Sequence, residues 1–228
     1  MAETGQPRSI RSFVIRAGRI TAAQQRALGE LWPCFGVEYQ PQPLALAALF
    51  GRDAPRSLEI GFGNGDNLLG LALAHPERDY LGVEVHRPGI GRLLLALAER
   101  RLTNVRVVGH DAVDVLGHQI VPASFDEILV LFPDPWPKKR HHKRRLIRPA
   151  FVALLARALT PGGVLRLATD WEPYALEMLA TLAAARELRN LAADGGFVPR
   201  PPERLPTRFE SRGARLGHRV FDLAFRRV

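Results

Sequence analysis

Residues 132–148 read FPDPWPKKRHHKRRLIR, with one carboxylate, Asp134, among three prolines and a tryptophan directly ahead of an unbroken basic run. Folding alone requires neither feature. A carboxylate on a stiff loop can hold a hydrogen-bond donor and favour positive charge that develops beside it. A cationic run next to it can grip phosphates and set register while the loop chooses its target. Lys138, Lys139, Arg140, Lys143, Arg144, Arg145 and Arg148 stand in that run without an acid, so only +2 of the formal net charge of +9 lies elsewhere. A solvated helix start is the commoner fate of a charge run. So many cations in so short a segment repel one another without a polyanion, which favours RNA. His141 and His142 have no acid or cysteine near them within the run, which argues against a metal.

Pro133, Pro135 and Pro137 each fix φ and restrict the residue before them. The expectation is that Phe132, Asp134 and Trp136 are held extended at a strand end. Trp136 reads equally as a platform on which a base stacks and as a side chain packed against the sheet edge.

A second constellation is Gly61-Phe62-Gly63-Asn64-Gly65-Asp66, after the apolar run SLEI. Gly61, Gly63 and Gly65 would let the backbone approach a ligand at the carboxyl end of a sheet. A dinucleotide fingerprint would need glycine where Asp66 stands. There the acid would make a good helix cap but would repel a pyrophosphate. A phosphate-free, cationic cofactor fits better, and S-adenosylmethionine is one. Glu84 follows the middle glycine at a spacing that suits a carboxylate accepting from ribose hydroxyls. Asp111 would serve the adenine end, and Glu59 would hold the ammonium group or orient the glycine loop. Glu59, Glu84, Asp111, Asp134 and Asp170 thus recur at successive strand ends. Any one of them would serve as a cap or a solvated loop residue.

The elements that position these groups are legible from residue 57 onward. Short apolar runs (SLEIG, YLGVEV, VRVV, FDEILVLF, GVLRLATD) alternate with helical patterns. The runs are too uniformly apolar for half-exposed strands and suit a parallel sheet covered on both faces. RVFDLAFRR alternates apolar and polar residues after a Gly/Arg-rich loop, which predicts an antiparallel last strand. Residues 1–42 carry several arginines and little strand pattern. They read as an amino-terminal arm or helix packed on, or flexibly attached to, a single domain of residues 43–228.

The composition is that of a globular chain, 46% hydrophobic and 24% charged. Cys34 is the only cysteine, so no internal disulfide forms. No signal peptide or membrane span is expected, and the reading is cytoplasmic.

Together, RSFVIRAGRIT, LEIGFGNGDN, LGVEVHRPGI, GHDAVDVL, LFPDPWPKKRHHKRR, LRLATDW and PTRFESRGARLGHRVFDL resemble the bacterial tRNA (guanine-N7-)-methyltransferases. The resemblance covers nearly the whole chain, and FPDPWPKKRHHKRR is its most specific part. It implies a Rossmann-like class I methyltransferase fold, a mostly parallel, seven-stranded, doubly wound sheet whose last strand is antiparallel. It implies methyl transfer from S-adenosylmethionine to N7 of guanosine in the tRNA variable loop, position 46. Onto matching positions it carries cofactor contacts at Glu59, Glu84, Asp111 and Asp134, with Asp134 as the catalytic residue. It also carries substrate contacts at Lys138, Asp170, Thr207, Arg208, Phe209 and Glu210. RNA contacts are implied at Arg140, His141, His142, Lys143, Arg144 and Arg145. No metal is implied, and monomer and homodimer both stay open. Asn64 and Arg208 depart from the family's usual residues, a larger apolar one and a lysine. The alternatives are a class I methyltransferase acting on another RNA or a small molecule, a noncatalytic RNA-binding module and, last, a nicotinamide oxidoreductase.

Overall fold

The computed structural model describes residues 11–13, 19–204, 210 and 219–228. Its strands are β1 (Gly36–Val37), β2 (Arg56–Ile60), β3 (Asp79–Val83), β4 (Val105–Val108), β5 (Phe125–Leu131), β6 (Leu159–Thr169), β7 (Leu188–Asn190) and β8 (Phe221–Arg227). They form one sheet in the order β1-β4-β3-β2-β5-β6-β8-β7. All pairings are parallel except those of β8, which runs antiparallel to both β6 and β7.

The sheet therefore has eight strands among the described residues where seven are expected. The addition is β1, beside β4 at one edge. Two residues are too few to show a period of two, so this strand leaves no pattern in the sequence.

The helices are α1 (Ala22–Glu30), α2 (Trp32–Phe35), α3 (Leu46–Phe50), α4 (Asp66–Ala74), α5 (Arg87–Glu99), α6 (Ala112–Asp114), α7 (Pro149–Ala158) and α8 (Glu172–Ala183). Prolines in the first turns of α5, α7 and α8 cost no hydrogen bond there and preset φ. Thr21 starts α1 with a capping box to Gln24.

The two-residue period of the strands divides the core in two. Leu58, Ile60, Ile128 and Val130 face Phe151 and Leu155 of α7 and Met178 of α8. Leu129, Val105 and Val107 face Leu68 and Leu71 of α4 and Leu93 and Leu97 of α5. Burial of each such side chain contributes about 2 kcal/mol. Covered on both faces, the central strands can be uniformly apolar.

From β2 the chain winds outward to β3 and β4, then returns to place β5 on the other side of β2. At that reversal the loops after β2 and β5 part, leaving a crevice at the carboxyl ends of the strands. Among the described residues, no helix is long and apolar enough to cross a membrane.

Candidate active site

A cavity of about 330 Å³ lies at the reversal. The loop after β2 contributes Gly61 and Gly63, the loop after β3 contributes Glu84, Asp111 comes from beyond β4, and Asp134 from beyond β5. Its described lining holds three carboxylates and neither lysine nor arginine. That set suits a cationic, phosphate-free cofactor and disfavours a pyrophosphate.

Gly61, Gly63 and Gly65 all have positive φ, at 73°, 59° and 79°. Gly89, in the first turn of α5, is small for a different reason. A Cβ there would meet the Gly63 carbonyl oxygen at 2.0 Å, so α5 and the glycine loop touch backbone to backbone. Gly65 is the N-cap of α4, and Asp66 sits one residue inside the helix. Asp66 is therefore not the expected cap; its carboxylate accepts from Arg92 Nη2 at 2.8 Å.

Glu84 ties the cavity floor together. Its Oε2 accepts from the Gly63 amide at 2.7 Å, and its Oε1 accepts from the amides of Val85 at 2.7 Å and His86 at 2.9 Å. An ionised carboxylate has about four acceptor positions. Glu84 thus fixes two loops and keeps capacity for a hydroxyl. Asp111 is the N-cap of α6, accepting from the Val113 amide at 3.0 Å, and it still lines the cavity. Burial raises its pKa above the usual carboxylate range.

Glu59 departs from its expected place. It is 2% exposed, lies outside the described lining of the cavity and accepts from Asn67 Nδ2 at 2.9 Å. Burial pushes its pKa up to about 7, with the Asn67 hydrogen bond acting the other way. Of the two roles read for it, orienting the glycine loop fits this position.

The proline-rich loop is not extended throughout. Phe132 and Trp136 have φ of 52° and 44°, in the left-handed region. A following proline penalises the right-handed helical region, and a chain leaving a strand must still turn. Each such residue costs on the order of 1–3 kcal/mol, so the surroundings must hold it. The Phe132 amide donates to the Ala168 carbonyl at 2.7 Å. Trp136 Nε1 donates to the Ser12 carbonyl at 3.0 Å, with the Arg144 guanidinium over its ring at 5.1 Å and His141 edge-on. In this conformation one face of Trp136 is covered by arginine.

Lys139–Arg144 form a 3₁₀ helix, with Lys138 as its N-cap. Lys138, Lys139, Arg140 and Lys143 are exposed, and His141, His142 and Arg144 are half-buried. Partial burial and then the neighbouring cations hold His141 below the ordinary imidazole range. Arg145 differs from the rest of the run in its burial. It is 3% exposed, its Nε donates to the Pro135 carbonyl at 2.9 Å, its Nη1 pairs with Glu177, and it lies over the Tyr174 ring. Its charge anchors the proline loop from beneath.

Asp170 is half-buried just beyond β6, outside the described lining of the cavity. Thr207, Arg208 and Phe209 lie outside the described residues. Glu210 is buried in an ion network with Arg204. The sequence reading missed His86 and His110, which line the cavity. His110 pairs with Asp114 at 3.1 Å and stacks on Tyr39 with ring centroids 3.7 Å apart. Its adjacency to Asp111 was the signal.

Residues 53–223 match the family described as "Putative methyltransferase". A tRNA (guanine-N(7)-)-methyltransferase of Leifsonia xyli is 60% identical, with 95% of each chain covered. One of Alkalilimnicola ehrlichii is 57% identical over 99% of this chain and 95% of that protein. The chain belongs to the tRNA (guanine-N7-)-methyltransferase family. S-adenosylmethionine is the methyl donor of this class, and the acidic lining described above fits it. Similar solved structures include the 16S rRNA methyltransferase KamB, with a TM-score of 0.56 and 17% identity over 80% of this chain and 92% of that one. The antibiotic-resistance methyltransferase Kmr is likewise similar, with a TM-score of 0.55 and 16% identity over 84% and 94%. At such identity the likeness shows the fold: a Rossmann-like methyltransferase sheet, as in the tRNA (guanine-N7-)-methyltransferase reading. Family membership removes the nicotinamide oxidoreductase and the noncatalytic module.

Proposed function

We propose that this chain methylates N7 of a guanosine in tRNA, at position 46 of the variable loop. The observation that carries the reading is that Asp134 lines the cofactor cavity directly ahead of an exposed cationic turn. The names of the relatives support the same substrate.

S-adenosylmethionine supplies an electrophilic methyl group on a sulfonium. Guanine N7 has an in-plane lone pair and no proton, so the protein needs no general base to make the nucleophile. Its task is alignment and charge. Gly61 and Gly63 allow close approach of the donor, Glu84 accepts from the ribose, and Asp111 holds the adenine end. Asp134 accepts from guanine or cofactor donors and favours the positive charge of the methylated ring. Lys138, Asp170, Glu210 and residues 207–209 hold the guanosine. Lys139, Arg140, Lys143 and Arg144 take phosphates. A wider cavity of about 530 Å³, with Lys143, Arg144 and Arg148 in its wall, borders the first and shares Ser12, Asp111 and Leu146 with it. That continuity supports an RNA path beside the cofactor.

The groove of A-form RNA hides N7, so the target must be looped or extruded. The reading places the reaction in the cytoplasm. It takes residues 1–42 as a segment packed on the domain rather than flexibly attached, supported by α1 on α5 and by the pairing of β1 (Gly36–Val37) with β4.

The test is transfer of labelled methyl to unmodified tRNA, with the same tRNA carrying 7-deazaguanosine in the variable loop as control. Label in the first and none in the second is expected. Equal labelling means another atom is methylated and refutes the assignment.

A further inference from the structure

Arg204 is 3% exposed, and its guanidinium joins two carboxylates that are themselves buried. Towards Glu210 it makes a bidentate pair, Nη1 to Oε2 at 2.7 Å and Nη2 to Oε1 at 3.2 Å. Towards Asp222 of β8, Nε lies 2.9 Å from Oδ1 and Nη2 donates to Oδ2 at 3.2 Å. Only the planar fork of arginine serves both at once; an ammonium is a point charge. Arg200 completes the group, donating to the Arg204 carbonyl at 2.7 Å and lying 3.4 Å from Glu210 Oε1. Among the described residues, two cations thus face two carboxylates.

Stability alone is a weak reason for such a network, since well-packed apolar residues often replace buried ion pairs without loss. Its location supplies a better one. The Arg204 guanidinium stands over the Phe132 ring, 5.7 Å from its centroid, and Phe132 is the left-handed residue from which the Asp134 loop departs. Asp222 is paired with Ala168 in the β6–β8 register, two residues before Asp170. One side chain therefore touches Glu210 and the root of the Asp134 loop, and it is anchored beside the strand that ends at Asp170.

We propose that Arg204 is a positioning residue for the guanosine pocket, holding Glu210 and the Asp134 loop in register with each other. This rests on the function proposed above. It predicts a defect larger on the RNA substrate than on the cofactor, because Arg204 lies outside the described lining of the cofactor cavity and reaches it through Phe132, whereas it bonds Glu210 directly.

The test compares the wild-type chain with Arg204→Lys and Asp222→Asn. Three quantities are measured: methyl transfer to unmodified tRNA, calorimetric affinity for S-adenosylhomocysteine and the thermal midpoint. Arg204→Lys is expected to lose about tenfold or more in kcat/KM for tRNA while its affinity for S-adenosylhomocysteine stays within about twofold. Asp222→Asn, which leaves both Glu210 bonds in place, loses less in the same direction. If the lysine variant fails to fold, the asparagine variant carries the comparison. Wild-type kcat/KM in the folded variants overturns the proposal. So does a parallel loss of tRNA activity, cofactor affinity and thermal midpoint, which is a purely structural effect. A wild-type chain inactive on tRNA overturns the underlying function and the positioning role with it, whereas an active wild type with unaffected variants overturns the positioning role alone.

Discussion

The Glu84 carboxylate accepts the Gly63 amide at 2.7 Å across the gap between the ends of β3 and β2. The group proposed to accept from the cofactor ribose therefore also sets the shape of the glycine loop. Both functions need an acceptor-only side chain.

Glu84→Gln tests this. An amide turned to accept from Gly63 presents its NH₂ to the Val85 and His86 amides, and the reverse turn fails at Gly63. Affinity for S-adenosylmethionine, measured by calorimetry, should fall by about tenfold or more.

Asp134→Asn keeps the size and shape of the loop and removes the charge. The single-turnover rate of methyl transfer should fall by about a hundredfold, with cofactor affinity changed far less. A wild-type rate in this variant would exclude an electrostatic role.

Glu59 makes stability depend on pH. Burial raises its pKa from the ordinary 4.5 to about 7, so between those values the folded state holds a proton that the unfolded chain has released. The stability is fully present below the unfolded value and is lost as pH rises through about 7. The loss is on the order of 3 kcal/mol. Glu59→Gln, uncharged throughout, should flatten the fall in urea-denaturation stability expected between pH 5 and pH 8 in the wild type. An unchanged pH dependence would exclude Glu59 as its source.

Arg140 and Arg145 should separate affinity from stability. Arg140 is exposed in the cationic turn; Arg145 is buried against Glu177 and the Pro135 carbonyl. Arg140→Ala should weaken tRNA binding and reduce the salt slope by about 1, leaving the thermal midpoint alone. Arg145→Ala should destabilise the fold by about 1–3 kcal/mol. Filter binding across salt concentrations and calorimetric melting distinguish the two.

The chemistry of this protein was legible before its shape. The acids at successive strand ends, the glycine loop and FPDPWPKKRHHKRR are local patterns, and local patterns survive in one dimension because neighbours in sequence stay neighbours in space. The parallel sheet was legible for a related reason: uniformly apolar runs bounded by turns can be buried only between two layers of helices. What needed the tertiary structure was the assignment of similar residues to different tasks. Among the carboxylates, Glu84 lies just beyond the end of β3 and lines the cavity, whereas Glu59 lies within β2 and stands behind it on Asn67. The two share a face of the sheet, and depth along the strands separates their tasks. In a run of like charges, Arg145 turns inward because Glu177 and Tyr174 arrive from α8, more than 25 residues later in the chain. Left-handed Phe132 and Trp136 follow the same logic. Sterics before proline narrowed their choices, and contacts with Ala168, Ser12, Arg144 and Arg204, all remote or out of register in sequence, made the selection.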